Sequence, residues 1–172
     1  NDNDELDFVK LREEKIAIFL MMNENHNEDI KFNNVFISQF LATYSVENIG
    51  KERIYMILDE FGIGKIYDFI RNLELARSRK MSISLITNNI ENIKEIYGIG
   101  FYNLMNSIDT QLLLGTSIKT DIMYFSELLG IDSEFIKDDL KNDELLIYEK
   151  GLRPILAEKD YFFTNEDWAN ML

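Results

Sequence analysis

The chain has 172 residues, 46% of them hydrophobic and 28% charged, with no cysteine and a formal net charge of −13. That length suits one domain with a core of its own, and the lack of cysteine excludes disulfides, zinc–thiolate sites and thiol catalysis and fits a reducing compartment. The acidic balance disfavours a general nucleic-acid-binding surface, because polyanion binding draws on Lys and Arg displacing counterions around phosphates.

In chain order, Asn1 opens an acidic, polar stretch without the basic start of a secretory signal. Ile16 to Met22 is the longest apolar run. It is far short of the roughly 20 residues a membrane span needs, so the segment reads as soluble and without membrane contact, and the run itself reads as a buried strand. The polar stretch Asn23 to Asp29 reads as a loop, and it carries the only histidine, His26, with no metal or catalytic partner set by spacing. Phe32, Phe36, Phe40 and Tyr44 then recur at four-residue spacing with Ile37 and Leu41 beside them, a helix whose broad apolar stripe can cover a sheet.

Ile54 to Leu58 is a second short apolar run. Ile66, Phe69, Ile70 and Leu73 mark a helix that runs on into Ala76 and Arg77, followed by a strand over Ser82 to Thr87. Ile90, Ile93 and Ile96 mark a helix ended by Gly98. Thr110 to Leu114 reads as a fourth strand, and Ile118, Ile122, Phe125 and Leu129 as a helix ended by Gly130. Buried strands alternating with helices predict an α/β domain with a mainly parallel sheet flanked by helices. Leu145 to Tyr148, the turn Glu149 to Gly151, and Pro154 to Leu156 predict an appended C-terminal β-hairpin. The expected organisation is one domain over 1–172, with an α/β unit over 1–142 and a hairpin and tail over 143–172.

The residues that point to chemistry are Asp59 and Glu60, directly after the strand that begins at Ile54. Ligands of α/β sheets collect beyond the carboxyl ends of the strands. Four apolar residues followed by Asp and Glu form a Walker B arrangement, in which the first carboxylate holds the water shell of a magnesium ion on ATP phosphates and the second orients or deprotonates the attacking water. Strands also often end in acidic loop residues, so the pattern by itself leaves a solvated strand end open. The partner motif, Gly-x4-Gly-Lys-Ser/Thr, is absent: Gly62-Ile-Gly-Lys65 is followed by Ile66, and Glu60 stands four positions before Gly64. Arg71, Arg77, Arg79 and Lys80 form either a local basic patch or the solvated end of a helix. Tyr97, Phe101 and Tyr102 suit stacking on single-stranded DNA or, equally, capping a core. Trp168 suits a partner anchor or a docked tail.

Taken together, Leu58-Asp-Glu-Phe-Gly-Ile-Gly-Lys-Ile66, Ala76-Arg-Ser-Arg79, Ser82-Ile-Ser-Leu-Ile86, Ile96-Tyr-Gly98, Asp109-Thr-Gln-Leu-Leu-Leu-Gly115 and Tyr124-Phe-Ser-Glu-Leu-Leu-Gly130 resemble the type IV secretion coupling proteins. These are the TraG/TraD-type ATPases that deliver conjugative DNA and effector proteins to a secretion channel. The likeness extends to Ile16-Ala-Ile-Phe-Leu20 and Ile37-Ser-Gln39 before this stretch, and to Leu146-Ile-Tyr, Arg153-Pro-Ile155 and Lys159-Asp-Tyr161 after it. It implies a RecA-like P-loop NTPase-type domain, ATP and magnesium in the complete protein, and a ring hexamer. It further implies relaxosome or single-stranded DNA and secretion-channel proteins as partners, at the cytoplasmic face of a membrane. By motif, Asp59 supports magnesium through water, Glu60 is the base, Arg77 reaches a neighbour's nucleotide, and Asn88 stands where a γ-phosphate-sensing residue, usually glutamine, is found.

The anchor, P-loop and helical insertion that precede this region in the family are not in these residues, so the expectation is half of a motor domain that does not hydrolyse ATP by itself. Two further readings stay open: a non-catalytic interaction module of the same fold, and an unrelated α/β enzyme using Asp59 and Glu60 with a metal.

Overall fold

The computed structural model describes residue 8 and residues 15–21, 27–46 and 52–160, and the chain divides after Ser107 into two units. His26 and Trp168 lie outside the described residues.

The first unit is built on one parallel strand pair. Strand β1 (Ile54–Leu58) leads into helix α2 (Phe69–Ala76), a 3-10 turn over Arg77–Arg79 and strand β2 (Met81–Leu85), which lies parallel to β1 with Ile54 opposite Met81 and Leu58 opposite Leu85. A helical crossover is what joining two parallel strands requires. Residues opposite each other share a face. Ile54, Met56 and Leu58 with Met81, Ile83 and Leu85 therefore line one side, and β2 packs there against α2, whose Phe69, Asn72 and Ala76 are buried. The other side leaves Tyr55 75% and Ile57 69% exposed. Helix α1 (Asn27–Val46) carries Glu28 and Asp29 in its first turn, where the helix dipole favours acids. Its apolar stripe is buried at Phe40, Leu41 and Tyr44 but exposed at Phe32. Its main partner is α2, and the Ser38 hydroxyl donates to the Tyr67 carbonyl at 2.9 Å. Phe8 packs edge-on against Phe36 and Phe40 and accepts a hydrogen bond from the Tyr44 hydroxyl. Helices α3 (Ile90–Tyr97) and α4 (Phe101–Asn106) complete the unit and bury Ile90, Ile93, Phe101 and Leu104.

The second unit is an antiparallel sheet. Strands β3 (Thr110–Leu113), β4 (Glu144–Glu149) and β5 (Ile155–Glu158) lie in the order β3-β4-β5. Between β3 and β4 run helix α5 (Lys119–Leu129), closed at a left-handed Gly130, and a π-helical turn over Phe135–Asp139. The β4–β5 connection is the expected hairpin: Gly151 has φ 87°, and the Leu152 N–H donates to the Glu149 carbonyl at 2.9 Å.

Two strand expectations are corrected. Of the run Ile16 to Met22, the described residues 16–21 form no strand, and Ile16, Ile18, Phe19, Leu20 and Met21 are exposed. A strand exists only with a ladder partner, which an apolar run cannot specify. The run over Thr110 to Leu114 is a strand, but it pairs antiparallel with β4 rather than joining the parallel sheet. Its alternating burial, with Gln111 and Leu113 buried and Thr110 and Leu112 exposed, is that of a sheet covered on one face. Helix α4 and the π-helical turn were not expected from periodicity.

Candidate functional site

The site is made by the way the parallel ladder ends. Beyond Leu58, the Ile86 N–H donates to the Leu58 carbonyl at 2.9 Å and the Phe61 N–H donates to the Ile86 carbonyl at 2.7 Å. One residue of the second strand's extension thus bridges Leu58 and Phe61, and Asp59 and Glu60 are looped out between them, a bulge that re-aims side chains at a sheet edge. Glu60 takes a left-handed backbone with φ 53°, a conformation that costs a non-glycine residue roughly 1–3 kcal/mol and tends to be retained at functional positions. Its N–H donates to Asp59 Oδ1 at 2.9 Å.

The facing loop, residues 86–89, is fixed from its own side. The Thr87 hydroxyl donates to the Asn89 carbonyl at 2.9 Å, and Asn89 caps α3 by accepting the Asn92 N–H at 2.8 Å. Between these anchors the Asn88 Nδ2 donates to Glu60 Oε2 at 2.8 Å. Asp59, Glu60 and Asn88 are therefore brought to one edge. Arg77 is not: it lies in the turn before β2, where the Ile54 N–H meets the Lys80 carbonyl at 3.0 Å, at the opposite end of the ladder. A five-residue strand separates the two edges by about 15 Å. Arg77 and Lys80 are exposed, and Arg71 is exposed on α2.

Behind the carboxylates, Phe61 stacks on Tyr97 with ring centroids 5.7 Å apart and tilts against Phe69 at 5.1 Å. Burial pushes the Tyr97 hydroxyl up to about 12, partly offset by the Ile66 N–H that it accepts. Tyr97 and the buried Phe101 thus act as core residues, whereas Tyr102 is exposed. Gly64 sits where α1 comes close: a Cβ there would meet the Asn34 side chain and lie 2.9 Å from Ile30 Cγ2. The roles of Thr87, Asn89 and Gly64 went unread in the sequence, although a capping pattern, Asn89 with Asn92 three residues on, marked the start of α3.

A cavity of about 40 Å³ lies under the loop, lined by Ile30, Asn34 and Ile37 of α1 and by residues 58–64 and 66. Small-molecule sites run to roughly 300–1,000 Å³, so this edge offers carboxylates without a nucleotide-sized enclosure. An open groove of about 360 Å³ between Lys65, Arg71, Glu74 and Tyr97 includes neither Asp59 nor Glu60. Among the described residues no group of three or more His, Cys, Asp or Glu could hold a metal by itself, and no helix is long and apolar enough to cross a membrane.

A family model described as the TraM recognition site of TraD and TraG matches residues 53–142, more than half of the chain. The chain belongs to the TraG/TraD family. The match takes in the parallel pair, Asp59, Glu60, Arg77 and Asn88, and runs on through α5. In fold, this TraG/TraD chain is similar to the bacterial conjugative coupling protein TrwBdeltaN70 in complex with sulphate, with a TM-score of 0.67 at 12% identity over 81% of this chain and 39% of that one. It is also similar to the plasmid coupling protein TrwB in complex with ADP and Mg2+, with a TM-score of 0.62 at 12% identity over 73% and 35% of the two chains. For TrwB in complex with the non-hydrolysable ATP analogue ADPNP, the TM-score is 0.60 at 13% identity over 77% and 36%. The chain thus spans well under half of the coupling proteins it matches. A sequence comparison with functionally described proteins gave no match. The architecture of this chain, similar in fold to TrwB, is mixed α/β with a parallel and an antiparallel sheet.

Proposed function

We propose that this chain supplies the carboxylate edge of a RecA-like, ATP-driven motor that recruits conjugative DNA or effector protein and pumps it to a secretion channel. The observation that carries this reading is the looped-out pair Asp59 and Glu60 beyond a parallel strand, with Asn88 against Glu60. TrwB, of similar fold, is described with ADP and Mg2+. Magnesium keeps several waters and needs only one or two carboxylates beside the phosphates, so a lone Asp59 suits it. When bound, MgATP supplies the phosphoryl group and neutralises its charge. Asp59 would hold the ion's water shell and Glu60 would orient the attacking water and take its proton, with Asn88 beside Glu60 at the position where the family resemblance places a γ-phosphate-sensing residue. Arg77, exposed at the far edge, serves the nucleotide of a neighbouring subunit in a homo-hexamer rather than its own.

The small cavity and the missing Gly-x4-Gly-Lys-Ser/Thr support a further step: phosphate-binding amides and a lysine come from a P-loop segment joined to, or complementing, this chain, and the chain does not turn over ATP without it. The family's description as a TraM recognition site supports contact with a relaxosome protein, placed with the complete motor at the cytoplasmic face of a membrane. A second reading, a non-catalytic interaction module, rests on the exposed Tyr55 and Ile57.

The test is ATP turnover by this chain alone and together with a P-loop segment. The pair should hydrolyse ATP and the chain alone should not. Glu60→Gln should lower turnover about 10²–10⁴-fold, the usual contribution of a general base, and Arg77→Ala should lower turnover far more than nucleotide binding. Hydrolysis by the chain alone, or full turnover by Glu60→Gln, would overturn the reading.

A further inference from the structure

The side-chain amide of Asn88 donates to Glu60 Oε2 at 2.8 Å, so one of its two N–H groups is engaged by the carboxylate rather than left to a phosphate. Three further contacts make this a built arrangement. The Glu60 backbone is held left-handed because Leu58 and Phe61 both bond Ile86. Its N–H is taken by Asp59 Oδ1. The loop bearing Asn88 is pinned by the Ile86 ladder on one side and by the Thr87 and Asn89 contacts on the other. Glu60 would otherwise swing through three side-chain torsions at a half-exposed edge. With its backbone pinned and its tip bonded, it is confined to one direction. A charge-assisted hydrogen bond to an ionised carboxylate is among the stronger ones available to a neutral amide.

We propose that Asn88 is the positioning residue of Glu60: it acts on the reaction by aiming and holding the carboxylate across the two strand ends, and not chiefly by reading the terminal phosphate. This rests on the motor reading above, with Glu60 as base, and it changes what Asn88 contributes there. Asparagine, one methylene shorter than glutamine, spans the gap between the adjacent strand ends at 2.8 Å.

The experiment is a double-mutant cycle in the ATPase formed by this chain with its P-loop segment, reading kcat and the KM for ATP in Asn88→Ala, Glu60→Gln and the double variant. Misplacing a reacting group by about 1 Å can cost roughly 10²-fold. Asn88→Ala should therefore lower kcat about 10–100-fold with KM changed less than about twofold, and the double variant should be no slower than Glu60→Gln alone. A KM that rises while kcat holds, or losses that multiply in the double variant, would overturn the proposal and leave the motor reading standing. Full turnover by Glu60→Gln would remove the motor reading and this inference with it. A second readout uses the chain alone: Glu60→Ala should shift the Asn88 side-chain amide resonances in a 15N spectrum, and unshifted resonances would overturn the proposal whatever the kinetics show.

Discussion

The two units carry the same kinds of polar side chain and use them differently. In residues 108–160, Asp121 is only 5% exposed and accepts the Thr116 hydroxyl at 3.2 Å, while the buried Gln111 accepts the Tyr124 hydroxyl at 3.0 Å. The Lys159 ammonium donates to the carbonyls of Leu114 and Asn142. These groups are absorbed by regular strands, a helix and backbone carbonyls, and burial holds the Tyr124 hydroxyl above its ordinary range. In the first unit, Asp59 is exposed and Glu60 half-exposed, because the backbone leaves the ladder for two residues and returns. Residue type alone therefore does not mark a site; the departure of the chain from its ladder does.

That contrast can be sharpened by substitution. The largest expected effect is at Gly64, where the loop is wedged under α1. Gly64→Ala should destabilise the fold by about 1–3 kcal/mol, the usual cost of overpacking, because Ile30 must move. Urea unfolding reads this, and an unchanged midpoint would mean that α1 does not pin the loop. A smaller effect, about 1 kcal/mol, is expected at Glu60. Because φ there is 53°, Glu60→Gly should be more stable than Glu60→Ala by that amount. Equal stabilities would argue that the left-handed bulge is not held in solution.

The smallest effect is silent at neutral pH. The Tyr97 hydroxyl is raised from 10.0 to about 12, so the folded state holds its proton where the unfolded chain releases it. Stability from this group is complete below pH 10 and is lost as pH rises towards 12. Tyr97→Phe should flatten that alkaline loss in a thermal-unfolding series. An identical slope in both proteins would show that Tyr97 is not buried behind the carboxylates.

Much of this was legible in the residues. Ile54 to Leu58 is the strand expected, and the helices ending at Gly98 and Gly130 end there, since apolar periodicity and glycine stops are local signals. The position of the Asp59–Glu60 pair at a strand end followed from the same signals. Ile16 to Met21 failed as a strand, and Thr110 to Leu113 changed sheets, because a short apolar run says that a segment can be a strand without saying which neighbour completes its ladder.

The amino-acid sequence by itself determined where most of the helices and strands after residue 26 lie, the family, and an acidic pair after a strand in a sequence with no Gly-x4-Gly-Lys-Ser/Thr motif. Only the tertiary structure decided that Asn88 meets Glu60, that Arg77 stands at the other edge, and that β3 belongs to an antiparallel sheet. Periodicity, caps and turns are set within a few neighbouring residues. Strand pairing and the contact between residues 60 and 88 depend on which distant segments find one another, and that is settled by packing across the whole unit.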